Sequence, residues 1–361
     1  MDSTPPYDEA GARPNGAPTP APPIAASAAA RDEWSRDLPP AVPSGIEPLD
    51  RVLRGGLRAE SMYVLSGKAG GGKSSLAAQV TSSIARDRSV VYLTSELSVR
   101  QVLARVAAQV LGRPWLELYE GDAEDGAIVA DALEGLWLRV VAVGREADIL
   151  GPLDAAARAD GQEPVVVVDY LQHVARRIVR RSGRQMTERM ATSETSDMFA
   201  QWASDRRSMV LALSSVARGW YQSSDERTAA DYLGAAKESG DVEADASGML
   251  HLDADTCPAG GEAAARLHVA KSRFSAGGTI GLTYAGATGI YTPNAAAALS
   301  DDQREALIAI DRGVTSNAAV AKEMGVRRAR ADLLVAALRA RGLIEPGRGL
   351  RTTPAGRSLA R

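Results

Sequence analysis

The feature that most constrains the fold is a complete phosphate-loop motif, G-x-x-x-x-G-K-[ST], at residues 67–74. Residues 61–66 before it are apolar enough for a buried strand, and residues 75–80 after it have apolar positions at helical spacing. In this strand–loop–helix context the backbone N–H groups and the helix N-terminus bind phosphate oxygens. A nucleotide site is therefore a better interpretation than a glycine-rich turn without a ligand. The residues predicted to bind ATP are Gly67, Lys68, Ala69, Gly70, Gly71, Gly72, Lys73, Ser74 and Ser75.

Further strands and helices alternate along the chain. The predicted strands are 90–94, 138–143, 165–169 and 209–213, and the predicted helices are 99–111, 149–158 and 198–205. This alternation predicts an α/β fold with a mostly parallel sheet. The strands are continuously apolar rather than alternating, which predicts that both faces of the sheet are covered.

Polar residues follow several of these strands, at the sheet edge where such folds bind ligands. Lys73 is expected to reach the β- and γ-phosphates, and the Ser74 hydroxyl is expected to ligate Mg²⁺. Asp169 follows four valines and suits a carboxylate that holds Mg²⁺ through water. Glu96 suits a base that orients the attacking water, although its position alone is equally compatible with an exposed loop acid. Ser214 stands at a third strand end.

Charge is distributed unevenly along the chain. The net charge is −3, but residues 301–361 hold 12 Lys and Arg against 7 Asp and Glu, which is +5 and leaves −8 for the rest. A basic end on an acidic body suggests nucleic acid at that end. Cys257 is the single cysteine, which excludes a disulfide framework and a cysteine metal cluster. No apolar run approaches the roughly 18 residues that span a bilayer, and no secretion signal is evident, so we expect a cytoplasmic protein.

Composition and pattern predict three parts. Residues 1–43 are Ala/Pro-rich and are expected to be disordered, because they contain too few large apolar residues to offset the entropy of ordering. Residues 44–295 form the predicted ATPase domain, and residues 300–361 form a small basic domain. Within the tail, a possible short helix at residues 31–38 places Trp34 and Leu38 on one face. It is either an apolar patch in a disordered tail or an arm that docks on a neighbouring subunit.

A set of further motifs occurs in a characteristic order over about residues 44–292. They are residues 45–50, the phosphate loop, Ser95-Glu96-Leu97-Ser98, Asp169-Tyr170-Leu171-Gln172, Ala212-Leu213-Ser214, residues 237–246 and Ala270-Lys271-Ser272-Arg273. The set resembles the C-terminal RecA-like ATPase domain of DnaB-type (superfamily 4) replicative helicases. Asp-Tyr-Leu-Gln and the Glu-Ser-Gly-x-x-Glu-x-Asp-Ala pattern are more specific for this family than the phosphate loop.

The resemblance implies a role for each matching residue. Glu96 would be the catalytic base and Asp169 the Mg²⁺ carboxylate, and Gln172 would couple the nucleotide state to DNA-binding loops. Lys271 and Arg273 would reach into the neighbouring subunit's site, in a head-to-tail ring that is a hexamer in this family. An arginine supplied in this way raises the rate of phosphoryl transfer by about 10³–10⁵ in other enzymes.

The chain departs from the family pattern at three points. The family's N-terminal helical domain is absent from this sequence. Ser215 stands where the family usually has Gln, which puts one γ-phosphate sensor in doubt. The C-terminal basic domain is additional.

Five arginines follow the strand that ends at Asp169, namely Arg176, Arg177, Arg180, Arg181 and Arg184. In the resembling fold the loop after this strand faces the ring channel, so we predict a loop that contacts the phosphates of single-stranded DNA. A solvated charged face is the alternative. Arg218, after the next strand, is a further predicted DNA contact. The adjoining Trp220 and Tyr221 suit either stacking on bases or packing at a subunit interface.

Residues 301–361 are predicted to form three helices and a two-stranded hairpin. The helices are 303–310, 317–324 and 326–341, and the hairpin strands are 343–345 and 350–352. This pattern resembles a winged helix-turn-helix domain. Arg327, Arg328 and Arg330 stand at the start of the third helix, where such domains contact bases. A winged helix that contacts protein is the alternative, but the positive charge favours duplex DNA.

The leading functional hypothesis is an ATP-driven, ring-forming DNA helicase or translocase that moves on single-stranded DNA as a homo-oligomer. An alternative is a non-helicase DNA-binding ATPase whose nucleotide state controls assembly in replication initiation, recombination or regulation. A transcription regulator with a vestigial ATPase is a third possibility. Intact Lys73, Glu96 and Asp169 argue against it.

Overall fold

The computed structural model describes residues 25–35, 37–144, 149–182, 186–216, 232, 239–255, 257, 260–347 and 349–360. They fall into two units, Met1–Pro39 and Pro40–Arg361. In the first unit the described residues include helix α1 (Ala26–Trp34), whose alanine-rich sequence favours a helix. This helix ends at Trp34, so Leu38 is not part of it and the predicted shared helix face is wrong. The side chains of Trp34 and Leu38 are 87% and 84% exposed.

The second unit contains the following elements. Its strands are β1 (Ala41–Val42), β2 (Leu57–Arg58), β3 (Ser61–Gly67), β4 (Val90–Thr94), β5 (Leu138–Ala142), β6 (Val165–Asp169), β7 (Met209–Ser215), β8 (Gly248–Ala254), β9 (Glu262–Ser272), β10 (Gly278–Ala285) and β11 (Ile290–Pro293). Its helices are α2 (Glu47–Val52), α3 (Lys73–Ile84), α4 (Val99–Leu111), α5 (Trp115–Glu120), α6 (Ala123–Leu133), α7 (Leu150–Asp160), α8 (Leu171–Ser182), α9 (Glu188–Asp205), α10 (Ser239–Asp245), α11 (Asp301–Asp311), α12 (Asn317–Glu323), α13 (Arg328–Ala340), α14 (Pro354–Ala360) and the 3₁₀ helix Ala295–Ala298.

Nine strands form one sheet in the order β11-β10-β9-β8-β3-β7-β6-β4-β5. The six strands from β8 to β5 in this order run parallel, and β9, β10 and β11 extend the sheet with antiparallel pairing. The predicted α/β fold with a mostly parallel sheet is confirmed. Strand β1 pairs with β2, and Val42 is buried in the core. Ordered structure therefore begins before residue 44, inside the segment that was expected to be disordered.

The central strands are covered on both faces, as their continuous apolarity predicts. Alternate side chains of β3 enter different cores: Tyr63 and Leu65 pack in one, and Met62 and Val64 in the other. Helices α3 and α4 contribute to the first core, and α7, α8 and α9 contribute to the second. The sheet is thus a rigid support, and its parallel strands end together at the edge that carries the phosphate loop.

Helix α8 corrects the prediction of a loop over residues 176–184. The chain is helical as far as Ser182, because apolar residues at spacing i, i+3, i+4 and i+7 pack into the second core. Leu171, Val174 and Ile178 belong to this core, and Ala175 on the same side of the helix is also buried. Helix α9 also begins ten residues earlier than predicted, at Glu188, where the Thr187 hydroxyl accepts a hydrogen bond from the Met190 N–H.

The C-terminal helices α11 to α14 surround a hydrophobic core of their own. Helix α11 begins at a capping box formed by Ser300 and Gln303. Between α13 and α14, Ile344 and Thr352 form one antiparallel bridge, in place of the two predicted strands. Helix α14 was not predicted. None of the helices in the described part of the chain combines the length and apolarity needed to cross a bilayer.

Candidate nucleotide-binding site

The phosphate loop joins the end of β3 to the start of α3. Gly72 caps α3 with a left-handed φ of 82°. A Cβ atom on Gly72 would lie 2.0 Å from the Tyr291 hydroxyl, and one on Gly67 would lie 2.5 Å from the Leu252 carbonyl oxygen. Neighbouring strands therefore require glycine at both positions, which keeps the loop backbone accessible to a phosphate.

Lys73 is the first residue of α3, and its side chain folds back over the loop. Its Nζ donates hydrogen bonds to the carbonyl oxygens of Gly67 at 2.9 Å and Lys68 at 2.8 Å. Burial lowers the pKa of Lys73, and the carboxylates of Asp169 and Glu96 oppose this shift. The predicted phosphate-binding lysine thus lies within electrostatic reach of both predicted acids.

Asp169 ends β6 and is only 1% exposed. Its Oδ2 accepts a hydrogen bond of 2.7 Å from the Tyr92 hydroxyl, and the Ser74 side chain also hydrogen-bonds to the carboxylate. Burial raises the pKa of Asp169, whereas the two hydrogen bonds lower it. Burial and the adjacent carboxylate also hold the pKa of Tyr92 well above its usual value. The structure therefore brings the predicted metal-binding pair, Ser74 and Asp169, into contact.

The Ser74 hydroxyl and the Asp169 carboxylate fit Mg²⁺ that is bound together with a nucleotide. A hydroxyl and a carboxylate are oxygen ligands of the kind that Mg²⁺ prefers, and phosphate and water oxygens usually complete its coordination. Within the described ranges, no group of three or more His, Cys, Asp or Glu side chains is arranged to hold a metal ion. The chemistry of the site thus suits a nucleotide-bound Mg²⁺ rather than a metal held by protein ligands alone.

Glu96 lies on an exposed turn between β4 and α4. The Thr94 hydroxyl closes this turn by donating to the Leu97 carbonyl oxygen at 2.7 Å. The Tyr170 hydroxyl lies close to the Glu96 carboxylate, and the Tyr170 ring stacks on His173 with 4.4 Å between centroids. Glu96 lines the same cavity as the phosphate loop. Its position is therefore set by contacts from a second segment of the chain.

A cavity of about 350 Å³ joins the phosphate loop to the acids. Arg105, Trp115 and Tyr284 also line it, and the Arg105 guanidinium lies 3.8 Å from the centre of the Trp115 ring. A second cavity of about 610 Å³ shares Trp115 and Tyr284 with the first and extends toward Asp255 and Cys257. Sequence reasoning missed these aromatic residues and Arg105, because they come from separate segments that carry no motif.

Gln172 connects the start of α8 to one strand end beside this cavity. It is 1% exposed, and its Nε2 donates to the Ser214 hydroxyl at 2.7 Å. Its Oε1 accepts from the Ser215 N–H at 3.4 Å. Ser215 itself lines the cavity. The amide therefore links α8 to the end of β7.

Arg273 lies at the opposite edge of the sheet. Gly67 is level with Leu252 of β8, whereas Gly248, at the start of β8, is level with Ser272 at the end of β9. The four residue steps from Gly248 to Leu252 span about 13 Å at roughly 3.3 Å per residue. Arg273 therefore cannot contact the phosphate loop of its own chain without a large rearrangement.

Lys271 and Arg273 donate to backbone oxygens at that opposite edge. The Lys271 ammonium donates to the Glu243 carbonyl, and Arg273 donates to the Ala244 carbonyl at 3.2 Å. Arg273 is exposed. These contacts place both cations beside the last turn of α10, away from the cavity of their own chain.

The predicted DNA-contacting arginines of α8 differ in their surroundings. Arg176 pairs with Glu188, with 2.5 Å between Nη2 and Oε1, and Arg180 is exposed. Arg177 is half-buried and donates to the Ser95 carbonyl at 2.7 Å. The backbone of Arg181 belongs to α8. Outside the described residues or side chains lie the Arg181 side chain, Arg184, Arg218, Trp220, Tyr221, Lys237 and Glu238.

The three arginines at the start of α13 lie close together. Arg327 is exposed and immediately precedes the helix. Arg328 pairs with Asp332 at 3.2 Å, and Arg330 pairs with Asp302 of α11 at 2.9 Å. Two of the three predicted duplex contacts are therefore involved in ion pairs within the C-terminal helices.

Comparison with known proteins gives a sequence relative, solved structures of similar fold and a matching family model. DNA repair protein RadA of Haemophilus influenzae is 36% identical over 103 residues, which are 28% of this chain and 22% of RadA. Two solved structures superpose more widely at 18% identity. The ATPase domain of G40P has a TM-score of 0.59 and covers 74% of this chain and 96% of its own. A DnaB-like replicative helicase, described with its interactions with primase, has a TM-score of 0.58 and covers 74% of this chain and 65% of its own.

At that level of identity the two structures establish the fold alone, which is the RecA-like α/β fold predicted from the sequence. The family model of the DnaB-like helicase C-terminal domain matches residues 41–292. This range contains the phosphate loop, both acids and Arg273. Because it covers more than half of the sequence, the chain belongs to the DnaB-like helicase C-terminal domain family.

Proposed function

We propose that this chain is an ATP-hydrolysing DNA helicase or translocase that assembles head to tail into a ring, six-membered as in its family. The observation that carries the proposal is the separation of two sets of charged residues. Lys73, Glu96 and Asp169 gather at one edge of the sheet, and Arg273 lies at the other. Head-to-tail contacts that repeat and close would bring Arg273 of one copy to the phosphate loop of the next.

In this proposal ATP is the substrate, and each residue of the site has a separate role in its hydrolysis. The phosphate loop and Lys73 hold the phosphates, and Glu96 orients the attacking water. Mg²⁺, held by Ser74 and through water by Asp169, would neutralise charge on the phosphate oxygens. Arg273 of the adjacent copy stabilises the additional charge of the transition state.

The cleft beyond the phosphate loop suits the nucleobase. Trp115 and Tyr284 line both cavities beside the loop, and the ring of Trp115 is already in contact with Arg105. Stacking on an aromatic ring favours a planar base. Trp115→Ala should therefore raise the Kd for ATP and leave the Kd for inorganic tripolyphosphate unchanged, as measured by calorimetry. Equal weakening of both ligands would contradict this assignment.

The domains and DNA contacts follow the same proposal. Residues 44–295 are the motor, and Arg176, Arg180 and Arg181 of α8, together with Arg184 and Arg218, contact the phosphates of single-stranded DNA. Residues 300–361 are a winged helix-turn-helix domain that binds duplex DNA through the arginines at the start of α13. Support comes from the separate core of this domain and its charge of +5 over residues 301–361.

Strand displacement on forked DNA tests the proposal. The chain should release the displaced strand only with ATP and Mg²⁺, and the Lys73→Ala variant should not. The alternative, a DNA-binding ATPase without helicase activity, is favoured by Ser215, where the family usually has Gln. DNA-stimulated hydrolysis without displacement, together with ATP-dependent binding to duplex DNA, would support that alternative and contradict the helicase.

A further inference from the structure

Helix α8 has three faces with different surroundings. One face carries the apolar residues that pack in the second core. A second face carries His173 and Arg177, and Tyr170 extends it at the residue before the helix, at the spacing i, i+3 and i+7 that aligns side chains. The third face carries Arg176 and Arg180, which are exposed. The five arginines in this segment therefore do not form one equivalent charged surface.

The second face contacts the turn that carries Glu96. Arg177 Nη2 donates to the Ser95 carbonyl oxygen at 2.7 Å. The Ser95 N–H and hydroxyl donate to the Asp169 carbonyl oxygen at 2.8 Å and 3.1 Å. The backbone of Ser95 is thus held from both sides, by β6 and by α8. Because Ser95 is bonded directly to Glu96, these contacts fix where the Glu96 backbone begins.

The Glu96 side chain is held from the same helix face. The Tyr170 hydroxyl lies close to its carboxylate, and the Tyr170 ring stacks on His173. Arg177 therefore holds the backbone of the turn at one point, while Tyr170 lies beside the carboxylate at another. Two independent contacts of this kind restrict a side chain that the sequence places on an otherwise exposed turn.

We propose that Arg177 is a positioning residue for Glu96 and not a contact to DNA phosphate. Its guanidinium holds the Ser95 carbonyl and so keeps the carboxylate at the distance that water activation requires. This inference rests on the proposed role of Glu96 as the base. Loss of positioning at a catalytic group costs about 10²-fold in rate.

The test compares steady-state ATP hydrolysis by the full-length chain and its Arg177→Ala and Arg177→Lys variants. Arg304→Ala is a matched control, because Arg304 also donates to a backbone carbonyl, that of Ala296 at 2.9 Å, but lies in α11. Arg177→Ala should lower kcat about 10–100-fold, with the KM for ATP and the Kd for single-stranded DNA within threefold of wild type. Arg177→Lys keeps a donor and should recover part of kcat. Arg304→Ala should match wild type.

A double-mutant cycle with Glu96→Gln then separates positioning from general damage. If Arg177 acts through Glu96, adding Arg177→Ala to Glu96→Gln should lower single-turnover hydrolysis by less than about threefold. An equal loss in both backgrounds would overturn the inference, as would normal kcat with weakened DNA binding in Arg177→Ala or in Arg177→Lys. Wild-type turnover by Glu96→Gln alone would instead reject the base assignment, so the two failures are distinguishable.

Discussion

The two edges of the central sheet carry different parts of one predicted reaction centre. At the carboxyl ends of β3 and β6, Lys73 and Asp169 lie beside a cavity in a dense set of internal contacts. At the other edge, Lys271 and Arg273 donate to backbone oxygens, and Arg273 is exposed. The first edge is organised by its own chain, whereas the second presents cations outward. In the ring proposed above, the second edge of one copy would complete the first edge of the next.

The largest expected effect comes from the outward edge. Arg273→Ala should lower kcat for ATP by about 10³-fold or more, because a finger arginine acts on the charge of the transition state. The Kd for ATP should change little. Arg207→Ala is the control, since Arg207 lies at the same edge before β7 and pairs with Glu60 at 2.8 Å. Normal turnover by Arg273→Ala would show that Arg273 takes no part in ATP hydrolysis.

At the cavity edge, Glu96 and Lys73 should fail in different ways. Glu96→Gln should keep ATP binding and lose about 10²–10⁴-fold in kcat, because it removes only a general base. Lys73→Ala should weaken ATP binding itself, because the ammonium contacts the phosphate loop. Isothermal titration with ATP and single-turnover kinetics distinguish the two defects. Equal loss of binding in both variants would mean that Glu96 holds the ligand instead of acting on water.

The C-terminal helices should affect DNA binding without affecting hydrolysis. Removing residues 301–361 should weaken duplex binding about tenfold and leave single-strand-stimulated ATPase unchanged, because these helices have their own core. The lost affinity should be salt-dependent. Fluorescence anisotropy with duplex and single-stranded oligonucleotides, at several salt concentrations, measures the two DNA affinities. A steady-state ATPase assay with single-stranded DNA measures hydrolysis. Unchanged duplex affinity after truncation would favour a winged helix that contacts protein.

The smallest expected effect concerns Tyr92. Burial raises the pKa of Asp169, and the Tyr92 hydroxyl opposes this shift by donating to the carboxylate. Tyr92→Phe should therefore raise the pKa of Asp169 further. Because activity requires the ionised carboxylate, the acidic limb of the pH–rate profile should move to higher pH. Tyr63→Phe is the control, since the Tyr63 hydroxyl instead accepts from the Arg58 N–H at 3.0 Å. An unmoved acidic limb in Tyr92→Phe would contradict the ionised role of Asp169.

Five of the six parallel strands were predictable because they are short, continuously apolar runs. The predicted bounds of the strands at 90–94 and 165–169 match β4 and β6. Strands β8, β10 and β11 were not predicted; polar and small residues interrupt their apolar pattern. Helix α8 was predicted as a loop. Its closely spaced arginines are typical of an exposed loop, but Leu171, Val174 and Ile178 have the spacing of a helix that packs on a core.

The site was predictable only where a local motif carries the chemistry. The phosphate loop is such a motif, and Asp169 follows a recognisable buried strand. Tyr92, Trp115 and Tyr284 reach the site from separate elements, so contact between them depends on sheet order and not on local sequence. The contact made by Arg177 could not be predicted from the sequence either. Its charge was evident from the sequence, but the direction of its side chain depends on the helix face that packs against the core.

Subunit mixing tests the shared site most directly. Arg273→Ala and Glu96→Gln chains should each hydrolyse ATP poorly. When mixed under conditions in which labelled subunits demonstrably exchange, they should recover measurable hydrolysis. At some mixed interfaces the Arg273→Ala chain supplies Glu96 and the Glu96→Gln chain supplies Arg273, which completes a site. A mixture no more active than its parents would contradict a site shared between copies and would assign both residues to one chain.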